Sequence, residues 1–125
     1  MAEIVLVRHG QTEWSATGRH TSYTDIPLTA DGERQAQLLG KALAGRGFVA
    51  VLSSPRRRAR ETAELAGLPV TETVDDLVEW DYGEYEGVTT KRIRAARPDW
   101  ELWRDGCPAG ERPDQVGARV DRVLD

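Results

Sequence analysis

The chain opens with an apolar run, Ile4 to Val7, that breaks off at Arg8, His9 and Gly10. Apolar residues at consecutive positions fill both faces of a strand, which belongs inside a sheet covered on both sides. "FVAVL" (Phe48 to Leu52) reads as a second buried-type strand and "VTET" (Val70 to Thr73) as a third. Between the first two, "LTADGERQAQLLGKALAGRG" carries Ala36, Leu39 and Leu43 as an apolar stripe. Thr29 stands there as N-cap, Asp31 and Glu33 place negative charge in the first turn, and Gly45 marks the stop. A second helix follows "SSP", with Ser54 as N-cap, Pro55 at N1 and Gly67 beyond its end. The order β-α-β-α-β predicts a parallel sheet with right-handed crossovers. Farther on come a Gly-containing loop, "EWDYGEYEG", and a short helix around "TKRIRAA" stopped at Pro98. "PDQVGARVDRVLD" closes the pattern with Val116, Val120, Val123 and Leu124 at helical spacing.

Chemistry is concentrated where these strands end. Ligands of open α/β sheets sit beyond the carboxyl ends of the strands, where Arg8 and His9 stand. Gly10 allows a sharp turn or a close backbone approach. The stretch that follows, "GQTEWSATGRHTSYTDIP", is too long for a simple connector, and loops of that length are usually functional or mobile. In a parallel sheet the "SSPRRRARETA" junction lies beside the first strand's end. Pro55 and the arginines occupy the first turn of its helix, where free N–H groups and the helix dipole favour an anion. Arg58 can reach a phosphate in bidentate fashion, whereas Arg56, Arg57 and Arg60 read as a solvated face. Arginine charge around the histidine lowers its pKa and keeps it nucleophilic.

Composition narrows the field without deciding it. A chain of 125 residues holds at most one domain, and 39% hydrophobic with 30% charged residues suits a soluble globular protein. The formal net charge of −4 offers no basic field for nucleic acid. No apolar run reaches membrane-spanning length and the amino terminus enters a strand at once, so neither a membrane span nor a signal peptide is expected. Cys107 is the single cysteine, which fits a reducing, cytoplasmic compartment. With only His9 and His20 beside it, a structural zinc site is not expected, and no cofactor is implied.

Together, "LVRHGQTEW", "TDIPLTADGERQA", "VLSSPRRRARETA" and "LVEWDYGEYEG" resemble the histidine phosphatase superfamily, also called the phosphoglycerate-mutase-like family. The resemblance runs from Glu3 to the last residue. It implies a three-layer α/β/α sandwich with a mostly parallel sheet. It also implies hydrolysis of a small phosphorylated metabolite through a phosphohistidine on His9. Arg8 and Arg58 match the arginines that clamp the phosphoryl oxygens, and Glu79 matches the carboxylate that protonates the leaving oxygen and then activates water. Glu84 and Glu86 share Glu79's loop and compete for that role. Gln11, Thr12, Ser15 and Thr21 are the candidate substrate-binding residues, with a loop-capping role as the alternative for Gln11 and Thr12.

Departures from the family pattern are also visible. Ser15 stands where asparagine is common, Arg56 where an apolar residue is usual, and Arg112 follows Glu111 where serine is common. Members carry a second histidine at the end of a later central strand, which lies between the first two, yet no histidine follows His20 here. Residues 1–125 are therefore expected to be the amino-terminal portion of a single such domain, poorly stable and nearly inactive alone. The segment Gly87 to Gly110 is short, which favours release of phosphate to water over mutase-type transfer. Details of the motifs point to the sugar-bisphosphatase and acid-phosphatase branch. A mutase and a non-catalytic phospholigand binder are the alternatives.

Overall fold

The computed structural model describes residues 3–125, and its elements follow from local signals more faithfully at the helices than at the strands. A short helix α1 (Glu13–Thr17) rises from the long loop, capped by Thr12 and closed by Gly18 in the left-handed conformation. Helix α2 (Ala30–Ala42) starts at Thr29, whose hydroxyl accepts from the Gly32 N–H at 3.0 Å. It ends three residues before Gly45, which lies in the turn beyond. The chain then forms β1 (Leu52–Ser53), α3 (Arg57–Leu65) and β2 (Glu72–Thr73). Strands β1 and β2 pair in parallel, Leu52 against Glu72 and Ser53 against Thr73, so the β1-α3-β2 unit is of the α/β class. Two single-turn 3₁₀ segments, Asp75–Leu77 and Gly83–Tyr85, precede α4 (Thr90–Ala96), α5 (Leu102–Asp105) and α6 (Pro113–Leu124).

The expected first strand is the main correction. Ile4 to Val7 form no ladder, and Ile4, Leu6 and Val7 are 69%, 89% and 44% exposed. Val49 is fully exposed too, and the second and third strands shrink to the two-residue β1 and β2. A strand apolar on both faces is buried only when strands flank it and helices cover it. Here α2 and α3 line one side of residues 5–10, through Ala36, Leu39 and Thr62.

Two buried clusters hold the rest. The larger gathers Trp80, Tyr82, Ile93, Trp100 and Cys107, with Tyr85, Val88, Leu102 and Val116 packed around them. Aromatic rings meet edge to face within it, Tyr85 on Trp100 at 5.3 Å, a favourable quadrupole arrangement. His20 belongs to this cluster, stacked edge-on against Tyr82 and Trp100 with Nδ1 bonded to the Val88 carbonyl. The smaller lies at the α2–α3 interface, where Ala36 of α2 and Arg58 and Thr62 of α3 are buried.

Helix α2 also presses on the residues after the first run. Gly10 and Gly32 face one another so closely that a Cβ on either would overlap backbone, Gly32 carbonyl in one case and Gln11 carbonyl in the other. Gly10 is thus required for close approach and not for a left-handed turn. Gly32→Ala is expected to lower stability by roughly 1–3 kcal/mol, the usual cost of overpacking. Gly117→Ala, which meets open space on α6, is expected to leave stability unchanged or raise it by roughly 0.5–1 kcal/mol. Thermal melts of the two variants check the contrast.

Candidate active site

His9 is half-buried, and its Nδ1 lies 2.7 Å from the Gly10 carbonyl oxygen. A carbonyl only accepts, so Nδ1 carries the proton and Nε2 keeps its lone pair. The turn that sets this geometry is pinned from α3, where Gly10 N–H donates to the buried Thr62 hydroxyl at 3.0 Å. Burial holds the imidazole below the ordinary histidine value of 6.5. The Gly10 carbonyl opposes this, Arg58 and Arg8 reinforce it, and Glu79 opposes it more weakly. Arg58, Arg8 and Glu79 are thus charged groups whose fields reach His9.

Arg58 is 2% exposed and does more than present charge. Its Nη1 donates to the Thr24 carbonyl at 2.9 Å, and its Nη2 to Ser22 and Thr21 carbonyls at 2.9 and 3.3 Å. A guanidinium has five N–H donors, so Nε–H and one Nη1–H remain for another acceptor. Burial pushes its pKa down, as does the neighbouring Arg56 charge, while Glu79, Asp25 and Glu86 oppose the shift.

The loop that takes these donors is tied from the other side by Glu86. Its carboxylate accepts from the Ser22 N–H at 3.0 Å and the Thr24 N–H at 3.1 Å. Glu86 is therefore committed to the loop backbone. Glu84 is exposed and joins Pro108 through its backbone N–H. Glu79 is exposed as well, with Oε1 accepting from Trp80 N–H at 2.7 Å and its other oxygen free of protein partners among the described residues. The Ser22 hydroxyl donates to the Glu79 carbonyl at 2.9 Å, so one loop joins Arg58, Glu86 and Glu79.

Several expectations change here. Helix α3 starts at Arg57 with Arg56 as N-cap, because the Ser54 hydroxyl bonds Arg56 N–H in a tight turn ahead of it. The Arg57 N–H is taken by the Asp25 carboxylate at 2.6 Å, so an acid of the long loop occupies the position expected to attract an anion. Arg57 and Arg60 are exposed as expected, but Arg56 is half-buried and its Nε has no partner among the described residues. Thr12 and Ser15 spend their hydroxyls on a reciprocal capping box at the start of α1, with Thr12 fully buried. The Gln11 side chain accepts from the Thr29 hydroxyl at 2.9 Å and thereby ties the residue after Gly10 to the start of α2. The Thr21 hydroxyl turns back on the Arg19 carbonyl at 3.0 Å. Thr12 and Ser15 thus have their hydroxyls engaged within the loop, while the Gln11 side-chain NH2 has no partner among the described residues.

The sequence matches the histidine phosphatase superfamily (branch 1) over residues 4–125. It is 51% identical over 123 residues to an acid phosphatase of Mycobacterium tuberculosis, covering 97% of this chain and 61% of that protein. It is 38% identical over 144 residues to a sedoheptulose 1,7-bisphosphatase of Saccharomyces cerevisiae, covering 96% of this chain and 53% of that protein. The solved structure of an open-reading-frame product of M. tuberculosis superposes with a TM-score of 0.89 at 50% identity, over 93% of this chain and 61% of that one. The chain thus spans little more than half the length of these relatives. Matched over nearly its whole length, the chain belongs to the histidine phosphatase superfamily, branch 1.

Proposed function

We propose that the protein hydrolyses phosphomonoesters in two displacements at His9. The carrying observation is the His9 ring, held by Nδ1 on the Gly10 carbonyl with Nε2 free; its lowered pKa, set chiefly by burial and reinforced by Arg58 and Arg8, supports the same reading. In the first step, Nε2 attacks phosphorus, the bond to the ester oxygen breaks, and Glu79 as carboxylic acid gives that oxygen its proton. In the second, the Glu79 carboxylate takes a proton from water, which attacks phosphorus and frees Nε2 as inorganic phosphate leaves. Arg8 and the unused N–H groups of Arg58 meet the phosphoryl oxygens in both steps and stabilise the charge that spreads over them.

The names of the relatives support a small phosphorylated metabolite, such as a sugar phosphate, as substrate. Partial coverage of those relatives, with the exposed apolar run at Ile4 to Val7, supports reading residues 1–125 as the amino-terminal portion of one domain. The free, buried Cys107 supports a reducing, cytoplasmic setting. No helix of the described residues is long and apolar enough to cross a membrane.

The test incubates the full-length protein with radiolabelled sugar mono- and bisphosphates and quenches in alkali. Acid-labile, alkali-stable label on His9 and release of inorganic phosphate are expected. Label that survives acid, or turnover without any label, overturns the covalent mechanism. Label appearing on a second position of the sugar, with little free phosphate, replaces hydrolysis by mutase-type transfer.

A further inference from the structure

The backbone around Glu79 lies in neither helix nor strand, so its regular hydrogen bonding does not hold the carboxylate in place. A pair of charges from farther along the chain holds the backbone on both sides of it. Arg119 of α6 is 8% exposed and donates through Nη1 to the carbonyls of Asp76 and Val78 at 2.8 and 2.6 Å. Its Nε and Nη2 meet both carboxylate oxygens of Glu111, at 2.9 and 2.8 Å, in a bidentate pair. Glu111 then grips the residues on the other side of Glu79. Its Oε1 accepts from Asp81 N–H at 2.7 Å, and its carbonyl accepts from the Trp80 indole at 2.9 Å. Its own N–H donates to the Asp81 carbonyl at 2.8 Å.

Val78, Trp80 and Asp81 are thereby fixed by one ion pair, and Glu79 is the residue between them. From this bracket we infer that Arg119 and Glu111 are positioning residues for Glu79, setting the direction of its carboxylate toward the ester oxygen. The inference rests on Glu79 being the acid of the proposed reaction. Neither Arg119 nor Glu111 touches the reacting atoms. Bidentate arginine–carboxylate pairs fix geometry as well as energy, and Arg119 shares its remaining donors with two carbonyls of the same segment. Lysine cannot reproduce that fork, and glutamine at 111 keeps a carbonyl acceptor for Asp81 while losing the ion pair.

The test is the ratio of kcat/KM for a poor leaving group, glycerol phosphate, to that for a good one, dinitrophenyl phosphate, in the full-length protein. A ratio does not depend on the fraction of molecules that fold. Arg119→Lys and Glu111→Gln are each expected to lower it by on the order of 10–100-fold, the cost of misplacing a reacting group by about 1 Å. Glu79→Gln, measured alongside, should lower it at least as far. Adding Arg119→Lys to Glu79→Gln should then change it no further, as residues acting through one group are non-additive. If Glu79→Gln is selective while the Arg119 and Glu111 variants lose both substrates equally, or lose nothing, the positioning role is overturned and the acid assignment stands. If Glu79→Gln itself is unselective, the acid assignment falls and the positioning role with it.

Discussion

Alanine at position 9 is expected to reduce turnover by on the order of 10⁵–10⁶-fold and to leave no acid-labile phosphate on the protein, because deleting a covalent nucleophile disables every group that acts with it. The structure adds which nitrogen is lost. Nδ1 is committed to the Gly10 carbonyl at 2.7 Å, so the phosphoryl group is expected on Nε2 of the wild-type protein, which phosphorus–nitrogen NMR of the trapped intermediate can assign. The same ring sets an acid limit on the rate. Protonation at Nε2 removes the attacking lone pair, and the imidazole is held below 6.5 by burial, with Arg58 and Arg8 adding to the effect. The kcat/KM profile should therefore hold its value from neutral pH down past 6.5 and fall only below the lowered pKa. Removing the Arg8 charge makes imidazolium less unfavourable, so Arg8→Gln should move that fall to higher pH, apart from any loss of height. An acid limb unmoved by Arg8→Gln, or turnover persisting in His9→Ala, would sink this account of the nucleophile.

What could be read from the sequence was what depends on near neighbours. The Thr29 cap of α2 and the α4 and α6 helices follow from caps and spacings of a few residues, and all appear. Arg8, His9 and Arg58 stood out because expected strand and helix junctions carry them, whereas Glu79 was marked only by the family resemblance of "LVEWDYGEYEG". Contacts across long separations were not legible. Asp25 caps Arg57 over 32 residues, and Glu86 holds Ser22 over 64. Each is a single acid in a loop, with nothing nearby to mark its partner. Thr12 and Ser15 show a related limit, since a hydroxyl that caps a five-residue helix, the alternative already open for Thr12, looks the same in sequence as one that meets a ligand. Strands were overestimated because a doubly apolar run states only that it needs neighbours, and Leu6 at 89% exposure has none on its outer side.

Arg58→Ala is the other variant with a large expected effect, and it should fail in two ways at once. Loss of preorganised charge at a transferring group costs roughly 3–4 kcal/mol of transition-state stabilisation. Arg58 also supplies three donors to the carbonyls of Thr21, Ser22 and Thr24, and the buried Ser22 carbonyl left without a partner costs roughly 1–3 kcal/mol. Freed from Arg58, Ser22 is still held by Glu86 at its N–H but loses the partner of its carbonyl, which loosens the hold of its hydroxyl on the Glu79 carbonyl. The variant should lose activity on good and poor leaving groups alike, and its thermal midpoint should drop. Arg58→Lys retains charge but not the fork, so it should recover part of the rate while remaining as labile as the alanine variant. Arg57→Ala and Arg60→Ala remove exposed side chains, one paired with Glu61 and one bonded to the Pro55 carbonyl, and should change the rate little. A melt of Arg58→Ala that matches wild type would show that the loop does not depend on this guanidinium. A rate loss in Arg57→Ala equal to that in Arg58→Ala would show that the wrong arginine has been placed beside His9.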